Sequence, residues 1–503
     1  MGLLNKNYGL ALLAGLGCVF GFAPLGIFPV PVLALAVLFA LWLRAGSPRE
    51  AAWMGFVFGL GLFCAGTGWI YVALHDYGDM PMLLALPATL LFSAFLALFT
   101  ALVGYAQARF PVAYGLRTML VMPAAWVSVE WLRGMIFTGF PWLTLGYAHS
   151  DSPLAGYAPL LGVYGVSLVA AISAGLMVSL WQAGQMKKPW KMALVILVML
   201  WGAGALLRTV AWTEPHGEPF TVALVQGNIA QNLKFNEDAL VGTLETYRRL
   251  ASQNEARLTV LPESALPLLR HEVPENYVQR LRNHARQSGG DMIIGVFERS
   301  NGSYYNSVFT LGAADEQYYR KHHLVVFGEF IPLRPLLGWF INGVLDIPMG
   351  DLARGDDRQA PLNVAGQRVA VNICYEDAFG EEIIRALPQA TLLVNVTNDA
   401  WYGNSYAAAQ HNQISQMRAL ETGRMMLRAT NTGVTSIIGT DGKVLQQLPQ
   451  HVEAVLLGVA QGYQGITPYV SWGNAAVLLL IALMLAYAWA SRQRVPSPLR
   501  DNQ

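Results

Sequence analysis

VNICYEDAFG, residues 371–380, sets Cys374 between a strand-like apolar run, RVAVNI, and a cluster of acidic and aromatic residues. Cys18 and Cys64 lie inside long apolar runs, where a buried packing thiol is expected; Cys374 alone of the three has polar surroundings. Position leaves two readings of it: a small buried side chain, or a thiol that is used.

Around this stretch the chain from 212 to 468 carries most of the charge. Short β-rich runs (FTVALVQG, RLTVLPES, DMIIGVFE, YYNSVFTLG, RVAVNICYE, TLLVNVTND, VTSIIGTDG) alternate there with helix-like stretches at 237–254, 274–287 and 406–425. That alternation predicts an α/β globular domain. The remainder differs. Over 503 residues the chain is 54% hydrophobic and only 13% charged, too apolar for an ordinary soluble enzyme and long enough for at least two domains. Apolar runs near the bilayer-spanning length of about 20 residues fall at 8–25, 27–43, 52–74, 82–107, 117–134, 159–182, 191–211 and 470–490. The expected architecture is an α-helical transmembrane bundle of eight spans plus the α/β domain. Seven transmembrane helices occupy 1–211, the domain 212–468, and a final helix with its tail 469–503.

Lys6, Arg44, Arg49, Arg109, Arg117, Lys187, Lys188, Lys191, Arg492, Arg494 and Arg500 fall on one side of those spans. The opposite short loops hold His75, Asp76, Asp79 and Arg133. By the positive-inside rule both termini are cytoplasmic and the domain faces outward, into the periplasm of a bacterium. The first run has no small-residue cleavage site and leads straight into further spans, so it is read as retained. A net charge of +1 gives no field that would draw nucleic acid.

In an oxidising compartment a lone thiol is a liability unless it is shielded or used. Three polar residues follow β-like runs: Glu263 after RLTVLP, Lys321 after EQYYR, and Cys374 after RVAVNI. Strand ends are where α/β domains assemble sites from distant parts of a chain. A thiol attacks a carbonyl carbon as thiolate and needs a base to become one; Glu263 is suited to that. Lys321 could stabilise the thiolate and the oxyanion, helped by the backbone N–H of Tyr375. Taken singly, a Glu or Lys at a strand end is also what a solvated surface charge looks like. His322 and His323 come without HExxH or CxxC spacing, so no metal and no other cofactor is expected. GLGLFCAGTG, 59–68, follows no strand and reads as small-residue helix packing.

LPES with Glu263, YYRKHHLVVFGEFIP with Lys321 and Glu329, NICYEDAF with Cys374, and NVTNDAWYGNSYAAAQH together resemble the carbon–nitrogen hydrolase (nitrilase) superfamily. Joined to seven apolar spans before the domain and one after it, the pattern looks like the apolipoprotein N-acyltransferase family. The resemblance implies a nitrilase-like αββα sandwich standing on the outer face of the bacterial inner membrane. It also implies a Glu263–Lys321–Cys374 triad, with Glu329, Tyr375 and Glu376 in support. The implied reaction is ping-pong. Cys374 takes an acyl chain from a phospholipid as a thioester, then passes it to the amino terminus of a diacylglyceryl-cysteine on an apolipoprotein; a monomer suffices.

Where that family often has Trp, this chain has Phe235. The apolar segment 330–350, with Leu336, Leu337, Trp339 and Phe340, reads either as a lid or membrane-dipping arm that excludes water, or as a segment packed under the domain. Two other functions fit parts of the sequence. A membrane-tethered amidase or nitrilase would use the same triad, with water as second nucleophile. A transporter would carry buried ionisable residues at mid-membrane, of which the spans hold few.

Overall fold

The computed structural model describes residues 2–186, 191–234, 236–331 and 351–491. The chain divides into two compact units: one of 1–68, 86–210 and 472–503, the other of 69–85 and 211–471.

The first unit is helical. Its helices Gly2–Cys18, Pro29–Arg44, Pro48–Gly66, Met122–Arg133, Ala158–Met186, Lys191–Leu207 and Ala475–Ser491 follow the apolar runs of the sequence. Most of Met82–Ala108 belongs here too. Among the described residues, two helical stretches are long and apolar enough to cross a bilayer by length and composition, Met82–Ala108 and Pro153–Gln182. Pro29–Arg44, Lys191–Leu207 and Ala475–Ser491 are apolar but shorter. Eight membrane-length helices are therefore not seen among the described residues, since three of the apolar runs form helices of only 16 or 17 residues. The expected span 117–134 is continuous helix with a π-helical segment, Arg117–Val121, between Tyr114–Leu116 and Met122–Arg133.

Glycines let these helices approach closely. A Cβ at Gly59 would lie 2.9 Å from the Ala97 Cα, and one at Gly61 would lie 2.6 Å from the Leu12 carbonyl oxygen. Glu130 and Arg133 are buried against the irregular segment that follows their helix. Glu130 Oε1 accepts from Trp126 Nε1 (3.0 Å) and from the Leu145 N–H (2.8 Å). The Arg133 guanidinium donates to the carbonyls of Phe140 and Trp142. These bonds satisfy backbone groups that have no helix or sheet partner.

The second unit is a four-layered α/β domain. Its first sheet holds β1 (Glu214–Gln226), β2 (Leu258–Val260), β3 (Leu266–Leu269), β4 (Asp291–Ser300), β5 (Ser303–Gly312) and β6 (Tyr318–Arg320). The second holds β7 (Leu362–Val364), β8 (Gln367–Ile373), β9 (Leu392–Thr397), β10 (Met426–Thr430), β11 (Ser436–Ile438) and β12 (Val444–Gln447). β13 (Ala454–Gln464) returns to the first sheet, whose order is β13-β1-β2-β4-β5-β6 with β3 beside β4; the second runs β12-β11-β10-β9-β8-β7. The two sheets face each other, β1 against β10. Helices Glu237–Ala251 and Glu275–Gln287 bury Tyr247, Leu250, Val278 and Leu281 on the first sheet. Helix Ala407–Thr422 and the short helix Gly380–Ile383 cover the second through Ala419 and Ile383.

β1, β2 and β4 are mutually parallel, as are β8, β9 and β10. Parallel strands covered on both faces read as continuous apolar runs, which is what RLTVLP, RVAVNI and TLLVNVT are. Their carboxyl ends gather where the two sheets meet, and the candidate site forms there.

Candidate active site

Cys374 follows the last residue of β8 with φ +54°, a left-handed conformation that costs a non-glycine residue about 1–3 kcal/mol and persists only where surrounding contacts enforce it. The turn is held from below: the Cys374 carbonyl accepts from Asn395 Nδ2 (3.1 Å) and lies 3.2 Å from His411 Nε2. The thiol-bearing residue is 7% exposed. Burial, with the Glu263 carboxylate beside it, pushes the thiol well above its ordinary range; Lys321 and the Thr397 hydroxyl pull the other way.

Glu263 stands three residues past β2, with its carboxylate fully engaged. Oε1 accepts from Asn306 Nδ2 (2.7 Å) and lies 3.5 Å from Lys321 Nζ; Oε2 accepts from the Asn398 N–H (2.8 Å). Gly295 on β4 makes room for this turn, since a Cβ there would sit 2.2 Å from the Pro262 carbonyl oxygen and 2.8 Å from the Glu263 Cα. Lys321, directly after β6, is 1% exposed, and its Nζ donates to Glu329 Oε1 at 2.9 Å. Burial alone would lower its ammonium, but Glu329, Glu263 and Cys374 outweigh that and hold the proton. Asn306 bridges both carboxylates, donating also to Glu329 Oε1 (3.0 Å), while Glu329 Oε2 accepts from the Val325 N–H (2.9 Å). Residues drawn from four separate strand ends thus meet in one buried cluster.

Glu376 binds the lysine turn to the cysteine turn. Its Oε1 accepts the N–H groups of His322 (2.7 Å) and His323 (3.0 Å), and its Oε2 accepts the Ile373 N–H (2.6 Å) and the Tyr319 hydroxyl (2.9 Å). Burial pushes this carboxyl up, and the backbone N–H donors pull it back. Tyr375 packs its ring edge-on against Phe379 at 5.2 Å, and Phe379 stacks on His323 at 3.6 Å. His322 and His323 are engaged structurally, through Nδ1 contacts of 2.9 Å to the Gly355 carbonyl and 3.0 Å to Glu382. Phe235, Leu336, Leu337, Trp339 and Phe340 lie outside the described residues.

Beneath the cysteine turn is a buried charge network that residue-by-residue reading of the sequence missed. His411 Nδ1 faces Asp399 (2.8 Å) and its Nε2 faces Asp377 (2.9 Å); Arg428 donates to Asp377 (3.1 Å), Asp399 (3.0 Å) and Asn395 (2.7 Å). Burial and Arg428 disfavour the imidazolium, but the two carboxylates outweigh them and raise His411 to about 9. Burial likewise disfavours the Asp399 carboxylate, yet His411 and Arg428 hold it at about 2.

Because the folded-state value of His411 lies above the ordinary 6.5, its stabilisation is complete below pH 6.5 and is lost as pH rises through about 9. Thermal unfolding of the wild type is expected to drop by several degrees from pH 6.5 to 9.5, and His411→Asn to start lower and change less over that window. Parallel curves for the two proteins would contradict the assignment.

A buried cysteine at a strand end, faced by a lysine and two carboxylates across paired sheets, defines the carbon–nitrogen hydrolase class, and residues 221–461 match the Carbon-nitrogen hydrolase family. Residues 14–176 match the Apolipoprotein N-acyltransferase N-terminal domain. Apolipoprotein N-acyltransferase of Nitrosomonas europaea is 50% identical over 480 residues, 94% of this chain and 95% of the relative. The protein of that name from Ralstonia nicotianae is 46% identical over 495 residues, 96% of this chain and 93% of its own. A solved CN-hydrolase superfamily protein from Xanthomonas campestris is 18% identical with a TM-score of 0.38, covering 56% of this chain and all of its own. This chain belongs to the apolipoprotein N-acyltransferase family.

Proposed function

We propose that the protein moves an acyl chain from a phospholipid, through a Cys374 thioester, to the N-terminal amine of a diacylglyceryl-cysteine on an apolipoprotein. One observation carries this reading: Cys374 shares a buried cluster with the Glu263 and Glu329 carboxylates and the Lys321 ammonium. Since burial holds Cys374 as the thiol at rest, its proton leaves as attack begins, to Glu263. The sulfur adds to the ester carbonyl of the donor, and the oxyanion forms beside Lys321 and the Tyr375 N–H. The carbon–oxygen bond then breaks, and Glu263 returns the proton to the departing lysophospholipid alkoxide. In the second half, the neutral amine adds to the thioester, the carbon–sulfur bond breaks, and the amine's surplus proton passes by way of Glu263 to the sulfur. Glu329 holds Lys321, Asn306 holds both carboxylates, and Glu376 fixes the lysine turn relative to the cysteine turn.

The one-sided placement of lysines and arginines and the eight apolar runs of the sequence support a multi-pass setting in the bacterial inner membrane, with eight spans, cytoplasmic termini and the domain periplasmic. In this reading 1–211 and 469–503 form the membrane part and 212–468 the catalytic domain, and the protein works as a monomer. A long-chain phospholipid and a synthetic peptide bearing S-diacylglyceryl-cysteine with a free amine supply the test. Mass spectrometry is expected to find N-acylated peptide and lysophospholipid in equal amounts. Free fatty acid with unmodified peptide would instead make the protein a membrane-tethered hydrolase.

A further inference from the structure

A second lysine reaches the same cluster and has no role in the steps above. Lys234 ends the short helix Gln231–Lys234, is 2% exposed, and donates from Nζ to the Glu263 backbone carbonyl at 3.0 Å. Burying so long a side chain sacrifices about 1.5–2 kcal/mol of rotamer freedom as well as hydration, so its place demands a return. The same helix also reaches the carboxylate end of Glu263. Gln231 Oε1 accepts from Asn398 Nδ2 (2.8 Å), and the Asn398 N–H donates to Glu263 Oε2 (2.8 Å). Glu263 is therefore held at both ends from this side, next to Ser264, whose φ of +48° needs such outside support.

Lys321 is already committed to Glu329 at 2.9 Å. Lys234 pairs with no carboxylate among the described residues, so its charge is the less committed of the two. Lys234 and Lys321 stand opposite the Glu263 and Glu329 carboxylates; without Lys234 one ammonium faces two carboxylates, and a thiolate would add a further negative charge. We propose that Lys234 is a positioning residue for this site: seated on the Glu263 carbonyl, it orients that carboxylate toward Cys374 and supplies the positive charge that a thiolate there requires. Burial lowers its ammonium and Glu263 and Cys374 oppose that, for a net value of about 8, the behaviour of a cation that gains when the sulfur ionises.

The inference rests on Cys374 being the nucleophile, but its test needs no acyl donor. The full-length protein in detergent is alkylated with iodoacetamide from pH 6 to 10, and modification of Cys374 is followed by mass spectrometry. The other groups facing the thiol, Glu263, Lys321, Asp399 and Tyr402, stay unchanged. Lys234→Gln keeps a donor for the Glu263 carbonyl but no charge. It is expected to slow alkylation at pH 7 about tenfold. Lys234→Arg keeps the charge and is expected to stay within about threefold of wild type. Wild-type alkylation in folded Lys234→Gln, or an equal loss in both variants, overturns the proposal. Should Lys234→Gln not fold, Lys234→Arg decides by itself: a folded protein alkylated about tenfold more slowly overturns it, and one within about threefold upholds it. A wild type that alkylates at Cys374 yet never takes up acyl groups sinks the transfer reading and leaves this one standing.

Discussion

Lys321→Met is expected to slow thioester formation by about a hundred- to a thousandfold, the scale on which losing an oxyanion donor in a dry site is felt. The side chain is 1% exposed and separates Glu263 from Glu329, at 3.5 and 2.9 Å. Removing it leaves two carboxylates sharing one buried space, so one must bind a proton or draw in water. Breaking a buried ion pair from one side costs about 3–5 kcal/mol, and a clear fall in Tm should accompany the kinetic loss. Lys321→Arg is not a conservative control, because a planar guanidinium cannot replace a compact ammonium between these oxygens. Both quantities are read on one preparation, by quenched-flow mass spectrometry and thermal unfolding. A Lys321→Met protein acylated within tenfold of the wild-type rate would remove Lys321 from the mechanism.

The second large effect is expected at Glu376, whose two oxygens accept four donors, three of them backbone N–H groups on the turns that carry Lys321 and Cys374. Gln has a single acceptor oxygen, and its amide nitrogen would point at donors. Glu376→Gln should therefore forfeit two of these charge-assisted bonds, about 2–4 kcal/mol of stability. Because the two turns are tied together through this carboxylate, their slippage by about 1 Å is expected to lower kcat about a hundredfold. Donor KM should change little, since Glu376 lies behind the reacting groups. Loss of stability with kcat intact would make Glu376 a structural residue only.

The strand-end residues were the legible part of the site. Glu263 and Cys374 each follow an apolar run that reads as a buried strand, whereas Lys321 follows the short, partly exposed Tyr318–Arg320, and only the motif resemblance brought the three together. The supporting network was not legible, because its members meet only in three dimensions. Asp399 and His411 are twelve residues apart and face each other only once β9 and helix Ala407–Thr422 pack. Arg428 sits inside the apolar strand MLRAT, where nothing nearby in sequence marks it as the partner of Asp377 and Asp399. Lys234 looks solvated in the polar stretch QNLK, and only the fold turns it inward.

Hydropathy also merges what the fold divides. The run 52–74 reads as one span, whereas its helix ends at Gly66, and Trp69 packs within the second unit, edge-on to Tyr402 at 4.5 Å and bonded to Gln410 at 3.3 Å. Apolar composition alone does not distinguish a membrane helix from a segment that lines a domain.

The most direct test is the intact mass of freshly reduced protein after brief exposure to a phospholipid of defined acyl length. The account predicts a single added acyl group that disappears on hydroxylamine treatment and is missing from Cys374→Ala. An unmodified wild-type mass, or the same adduct on Cys374→Ala, would contradict it.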